Sequence, residues 1–212
     1  MNTKCIIFDC DGVLVDTEKT GNGILLSMAA EHGFEMKIED AYHNFNGRNL
    51  KDCFRYIEDS IGKKLPDDFE NEYRLRSFEA FKTQVTPMEG VFEFLEKLEI
   101  PYCVASSGPV DKIRLNLETV GLLDKFEGRI FSSYEINSWK PDPELFLHAA
   151  KEMGFEVKEC IVVEDSRAGV MAGRKGGFKV YGFANDYNAA DLEKEGAVLF
   201  STYEELSDLL RD

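Results

Sequence analysis

Histidine is nearly absent from this chain of 212 residues: His32, His43 and His148 are the three present, and no pair has a spacing that suggests a shared metal. They read as surface or packing residues. The five cysteines include no C-x-x-C pair and no dense disulfide pattern, which argues against a disulfide-stapled scaffold and makes a reducing cytoplasm the expected home. No apolar run is long enough to span a bilayer, and no signal-peptide pattern precedes the first strand-type run, so neither a membrane anchor nor export is expected. Positive charge is also in short supply, with 25 Lys and Arg against 40 Asp and Glu and a formal net charge of −15. Nucleic acids and anionic membranes select basic patches, so neither is expected as a partner, and the acidic surface mainly provides solubility. Repeats and low-complexity tracts are lacking too, and the length is enough to bury a sizeable core.

What is present begins with the apolar run Ile6, Ile7 and Phe8, which leads into Asp9, Cys10, Asp11 and Gly12. An apolar run with β-branched residues ahead of a turn signal fits a buried strand of a parallel sheet, where ligands collect beyond the carboxyl ends of the strands. Side chains alternate along an extended segment, so Asp9 and Asp11 are expected on one side and Cys10 on the other. Two crowded carboxylates are tolerated when a hard cation such as Mg2+ joins them, or when their proton affinities split so that one serves as nucleophile and the other as acid/base. Taken alone, Asp and Gly are also ordinary turn formers. Cys10 is expected to be a small filler residue rather than a redox group.

Three further polar clusters follow strand-type runs or open a helix. The run 102–105 enters Ser106, Ser107, Gly108 and Pro109; the run 160–163 enters Glu164, Asp165 and Ser166; and Trp139, Lys140, Pro141, Asp142 and Pro143 open a helical pattern over 144–153. Each has a bland counterpart: turn and N-cap chemistry for the serines, a solvated charge for Lys140, and a cap on a helix over 167–175 for Glu164 to Ser166. Helical patterns over 90–98 and 111–120, strands over 129–132, 178–182 and 197–200, and a closing helix over 203–210 complete an α/β rhythm. That rhythm predicts a doubly wound, Rossmann-like parallel sheet.

Strand-type runs stop between residues 16 and 85. Apolar residues recur there at helical spacing, as in Ile24, Leu25, Met28 and Ala29, then Phe54, Ile57 and Ile61, then a stretch over 69–81 with Tyr73, Phe78 and Phe81. The expected organisation is a core of residues 1–15 and 86–212 with an inserted α-helical domain at 16–85. Within the insert, Asn44, Phe45, Asn46, Gly47, Arg48 and Asn49 put a glycine break beside a cation and amides, so Gly47 and Arg48 are candidates for substrate contact, with a plain helix-helix turn as the alternative.

The ordered set D-x-D-G-V, strand-end Ser, Lys and acidic pair resembles the phosphatases of the haloacid dehalogenase superfamily, in the group with a helical cap that includes β-phosphoglucomutases and 6-phosphogluconate phosphatases. The resemblance covers essentially the whole chain. It implies a cap that closes over the cleft, Asp9 as the nucleophile that accepts the phosphoryl group, and Asp11 as the acid/base that protonates the leaving alkoxide and then activates water. It implies Mg2+ held by Asp9, the Asp11 backbone carbonyl and Asp165, with Glu164 nearby. Ser106 would hydrogen-bond the phosphoryl group, Ser107 would share that contact, and Lys140 would neutralise developing charge. Such a site needs no general-base histidine. The expected substrate is a small phosphorylated metabolite, a sugar phosphate or sugar acid phosphate such as 6-phosphogluconate, and a monomer or weak homodimer is expected.

Other readings stay open at this stage. A sugar phosphomutase is the enzymatic competitor, but Gly21 and Leu50 stand where the resemblance would place a mutase's histidine and its phosphate-gripping arginine. A dehalogenase would not require Asp11, and a phosphonate-cleaving enzyme would need a cap lysine that is not assigned. A phosphate-binding or interaction module without turnover is the reading from another class.

Overall fold

The computed structural model describes residues 3–45 and 50–211. The chain opens with β1 (Cys5–Phe8), in which every residue is buried. A tight loop leads to the two-residue β2 (Val15–Asp16). Four helices follow: α1 (Glu18–Ala30), α2 (Ile38–Phe45), α3 (Leu50–Ile61) and α4 (Phe69–Gln84). The chain returns through β3 (Thr86–Pro87), which pairs antiparallel with β2. From there strands and helices alternate: α5 (Val91–Lys97), β4 (Tyr102–Ser106), α6 (Val110–Thr119), α7 (Leu123–Phe126), β5 (Ile130–Ser132), α8 (Ser133–Ile136) and α9 (Glu144–Glu152). Then come β6 (Cys160–Glu164), α10 (Arg167–Lys175), β7 (Lys179–Phe183), α11 (Ala189–Lys194), β8 (Val198–Phe200) and α12 (Tyr203–Arg211).

Cα packing divides the chain into two compact units, Met1–Asp16 with Thr86–Asp212, and Thr17–Val85. The first is an α/β unit whose six-stranded sheet runs β5-β4-β1-β6-β7-β8, and every pairing in it is parallel. Both faces are covered by helices, so the central strands must be apolar throughout, and β1 and β6 are buried at all positions. Ile7, Cys103, Leu145, Phe146 and Val162 share one core cluster. On another face Phe8 meets Phe94, Tyr102 and Phe126 edge-on.

Among its described residues the second unit contains helices and no strand, and it has its own core. Leu25 and Met28 of α1, Ala41 and Phe45 of α2, Cys53 and Ile57 of α3, and Phe69 of α4 are buried together. The apolar spacing that predicts helices at 24–29 and 54–61 falls on α1 and α3. The short helices α7, α8 and α11, of four to six residues, are not predicted, because helical periodicity needs a longer stretch to declare itself. Among the described residues no helix is long and apolar enough to cross a membrane.

Candidate active site

Asp9 is the first residue beyond β1. Its N–H still donates to the Val163 carbonyl at 2.9 Å, which holds it at the carboxyl edge of the sheet. Its side chain is buried, and Oδ1 accepts from Lys140 Nζ at 2.5 Å. The same ammonium donates to Glu164 Oε1 at 2.5 Å. One lysine, only 6% exposed, thus bridges two buried carboxylates. Lys140 stands ahead of α9, and its Nζ lies 5.0 Å from the centroid of the Phe146 ring on that helix.

Glu164 ends β6 and is completely buried. Its Oε2 accepts from the Ser166 N–H at 2.8 Å and from Ser166 Oγ at 2.9 Å. Ser166 is also the N-cap of α10, its hydroxyl accepting from the Gly169 N–H at 3.1 Å. The capping alternative for this cluster is therefore real, but the cap and the carboxylate contact are made by one side chain. A Cβ at position 169 would lie 1.8 Å from Glu164 Oε1. Only glycine leaves space for that carboxylate.

Asp165 completes the cluster: one oxygen each from Asp9, Glu164 and Asp165 lie within 4.8 Å of one another. Gly12 adopts φ +77°, and a Cβ there would fall 2.0 Å from Asp165 Oδ2, so this position requires glycine for its backbone and for its space. The Asp165 carbonyl accepts from Asn188 Nδ2 at 2.8 Å. An all-oxygen donor set of this size suits a hard divalent cation. The electrostatics agree: burial pushes the Asp9 carboxyl up to about 7, with Glu164 and Asp11 adding like charge against the pull of Lys140. Burial also opposes the charge on Lys140, but Asp9 and Glu164 outweigh it and hold its proton more tightly than usual. A cation among these carboxylates would offset the same burden.

Ser106 ends β4, is buried, and its Oγ accepts from the Gly108 N–H at 3.2 Å. Ser107 is half-buried in the turn beyond. Both aspartates lie in the loop beyond β1, which stops at Phe8, and Asp11 is close enough to Asp9 to add like charge to it. The Asp11 carboxylate lies outside the three-carboxylate cluster. Its Oδ2 accepts from Lys112 Nζ at 2.6 Å and its Oδ1 from Asn116 Nδ2 at 2.9 Å. Gly47 and Arg48 lie outside the described residues. Cys10 is buried, and burial together with Asp11 and Asp9 pushes its thiol well above the usual range, which keeps it protonated and unreactive.

Gly169, Asn188, Lys112 and Asn116 are not singled out by the sequence. A glycine inside the helical pattern over 167–175 is the one signal among them, since such a glycine often marks close packing. The other three are ordinary surface-type residues until the fold brings them to their partners.

Residues 6–183 match the family described as haloacid dehalogenase-like hydrolase. The chain is 31% identical over 207 residues to the 6-phosphogluconate phosphatase of Escherichia coli strain K12, covering 97% of this chain and 94% of that protein. It is 25% identical over 217 residues to a phosphorylated carbohydrates phosphatase of Thermotoga maritima, with 99% of each chain covered. A solved structure of a haloacid dehalogenase-like protein of unknown function from Agrobacterium tumefaciens superposes with a TM-score of 0.92 at 27% identity, covering 99% of this chain and 98% of that one.

Proposed function

This chain belongs to the haloacid dehalogenase-like hydrolases and acts on phosphate esters, and from that premise we propose that it is a Mg2+-dependent phosphatase working through a phosphorylated Asp9. The observation that carries the reading is the Lys140 ammonium shared between Asp9 and Glu164 with Asp165 alongside, at the carboxyl ends of β1 and β6. A buried carboxylate fixed by a lysine beside a cation site is equipped to meet a phosphoryl group.

Asp9 attacks phosphorus, the bond from phosphorus to the ester oxygen breaks, and Asp11 gives its proton to that departing oxygen. Water then attacks the phosphorus of the acyl phosphate and passes a proton to Asp11, which releases inorganic phosphate and regenerates Asp9. Ser106 and Lys140 hold the transferring group and its charge, with Ser107 as an additional contact. Asp9, Asp165 and the Asp11 backbone carbonyl hold Mg2+, which supplies positive charge where two anions meet. Glu164 acts from behind these ligands, since both its oxygens already hold Lys140 and Ser166.

The proposed substrate is a sugar phosphate or sugar acid phosphate such as 6-phosphogluconate, supported by the similarity to phosphatases of that kind. Hydrolysis is favoured over phosphomutation by position 21: a Cβ there would lie 3.2 Å from the Tyr73 hydroxyl, so the site where a mutase would carry histidine is packed against a tyrosine. Five free, buried cysteines are compatible with the cytoplasm.

The test is phosphate release from 6-phosphogluconate, hexose phosphates and p-nitrophenyl phosphate, with Mg2+ and with chelator, for the wild type and Asp9→Asn. We expect metal-dependent release by the wild type, none by the variant, and a hydroxylamine-trapped hydroxamate at Asp9. Full activity of Asp9→Asn would overturn the covalent route, and equal rates with chelator would overturn the metal requirement.

A further inference from the structure

We propose that Lys112 and Asn116 are positioning residues for Asp11. The proposal rests on the acid/base role given to Asp11 above. Both residues lie on α6, one helical turn apart, so they share a face. Each takes a different oxygen of the Asp11 carboxylate, at 2.6 Å and 2.9 Å. Held at both oxygens, the carboxylate cannot turn about its terminal torsion, which is otherwise a soft, broad rotor.

Asn116 carries the argument further because its place in the helix is unfavourable on local grounds. It is completely buried, next to the buried Leu117 and Ile113, and among the described residues its Oδ1 has no hydrogen-bond partner. A buried amide with half its bonding capacity unmet costs stability that a leucine of similar size would not. The contact that requires an amide here is the one to Asp11.

The same stretch of chain also positions Ser106. Gly108 donates its N–H to Ser106 Oγ, and its carbonyl accepts from Ser132 Oγ at 2.6 Å, which pins the turn that begins α6. The Lys112 stem passes that turn, and a Cβ at position 108 would sit 3.5 Å from its Cδ. One turn and helix therefore set both the proposed phosphoryl contact and the proposed proton donor, although Asp11 is 101 residues from Lys112 in sequence.

The experiment compares kcat/KM for an alkyl phosphate, whose leaving group needs a proton, with that for p-nitrophenyl phosphate, whose leaving group does not. Lys112→Met, Asn116→Leu, Asp11→Asn and their double variants are measured, with thermal melts to establish folding. Both α6 variants are expected to lower the alkyl-to-aryl ratio by about 10-fold or more, a fraction of what general acid catalysis supplies. Neither should lower it further in the Asp11→Asn background, whereas a merely structural role would lower both substrates alike and additively. Lys112→Met, at a partly exposed position, serves if Asn116→Leu does not fold. If Asp11→Asn depresses the ratio and the folded α6 variants do not, the positioning role is wrong and the acid role stands. If Asp11→Asn leaves the ratio unchanged, the acid role fails and the proposal goes with it.

Discussion

Glycine stands at positions 12 and 169 because a carboxylate fills the space a side chain would take. At position 169 two effects of opposite sign compete. Inside a helix such as α10, alanine in place of glycine normally stabilises by about 1 kcal/mol. Here the added carbon would lie 1.8 Å from Glu164 Oε1, and that carboxylate cannot retreat because Lys140 and Ser166 hold its two oxygens. Overpacking of this kind costs about 1–3 kcal/mol, so the clash wins. Gly169→Ala is expected to lower stability by chemical denaturation and to reduce kcat/KM, while Gly23→Ala, where a Cβ meets nothing within 4 Å, should hold or raise stability. A Gly169→Ala protein as stable as the wild type would show that Glu164 is not confined.

At the scale of elements, the beginning of α10 is where packing and chemistry are joined. Ser166 caps the helix through the Gly169 N–H and orients Glu164 through its own O–H. Losing a serine cap costs about 0.5–2 kcal/mol. Ser166→Ala is therefore expected to show a stability loss in that range by denaturant titration, together with a fall in kcat/KM on p-nitrophenyl phosphate as Glu164 loses one of its holds. Ser166→Asp would retain the cap but set a negative charge against Glu164, so it should recover less activity than stability. Equal recovery of both would separate the cap from the carboxylate and refute their coupling. The edge of the loop is tied in a similar way from α12, where the buried Tyr203 hydroxyl donates to the Val13 carbonyl at 2.6 Å.

For the whole molecule, the carboxylate cluster links stability to pH and metal. Asp9 takes its proton near pH 7 in the fold against an ordinary value of 3.8, so protonation of Asp9 stabilises the metal-free protein. That contribution is complete below about pH 4 and disappears as pH rises through about 7. Melts in chelator should thus show Tm falling between about pH 4 and 7, with a shallower fall for Asp9→Asn. Saturating Mg2+ should raise Tm at neutral pH, by about 2.7 kcal/mol of stability at a hundred times Kd, and flatten the profile because the cation replaces the proton. Parallel profiles for the two proteins would show that Asp9 does not carry the effect.

By itself the sequence determined the class of fold and the family. A strand covered by helices on both faces has to be apolar at every position, so Ile6 to Phe8 and Cys160 to Val163 announce a parallel sheet, and the polar residues at their carboxyl ends mark where a site would be. Only the tertiary structure decided which group faces which. Lys140 meets Asp9 across 131 residues and Asn116 meets Asp11 across 105. Such pairings follow from strand order and from the rotational phase of each helix, and no local pattern encodes either. Gly169 shows the limit most plainly: its neighbours in sequence describe a helix, and the reason for its missing side chain is a carboxylate on the preceding strand.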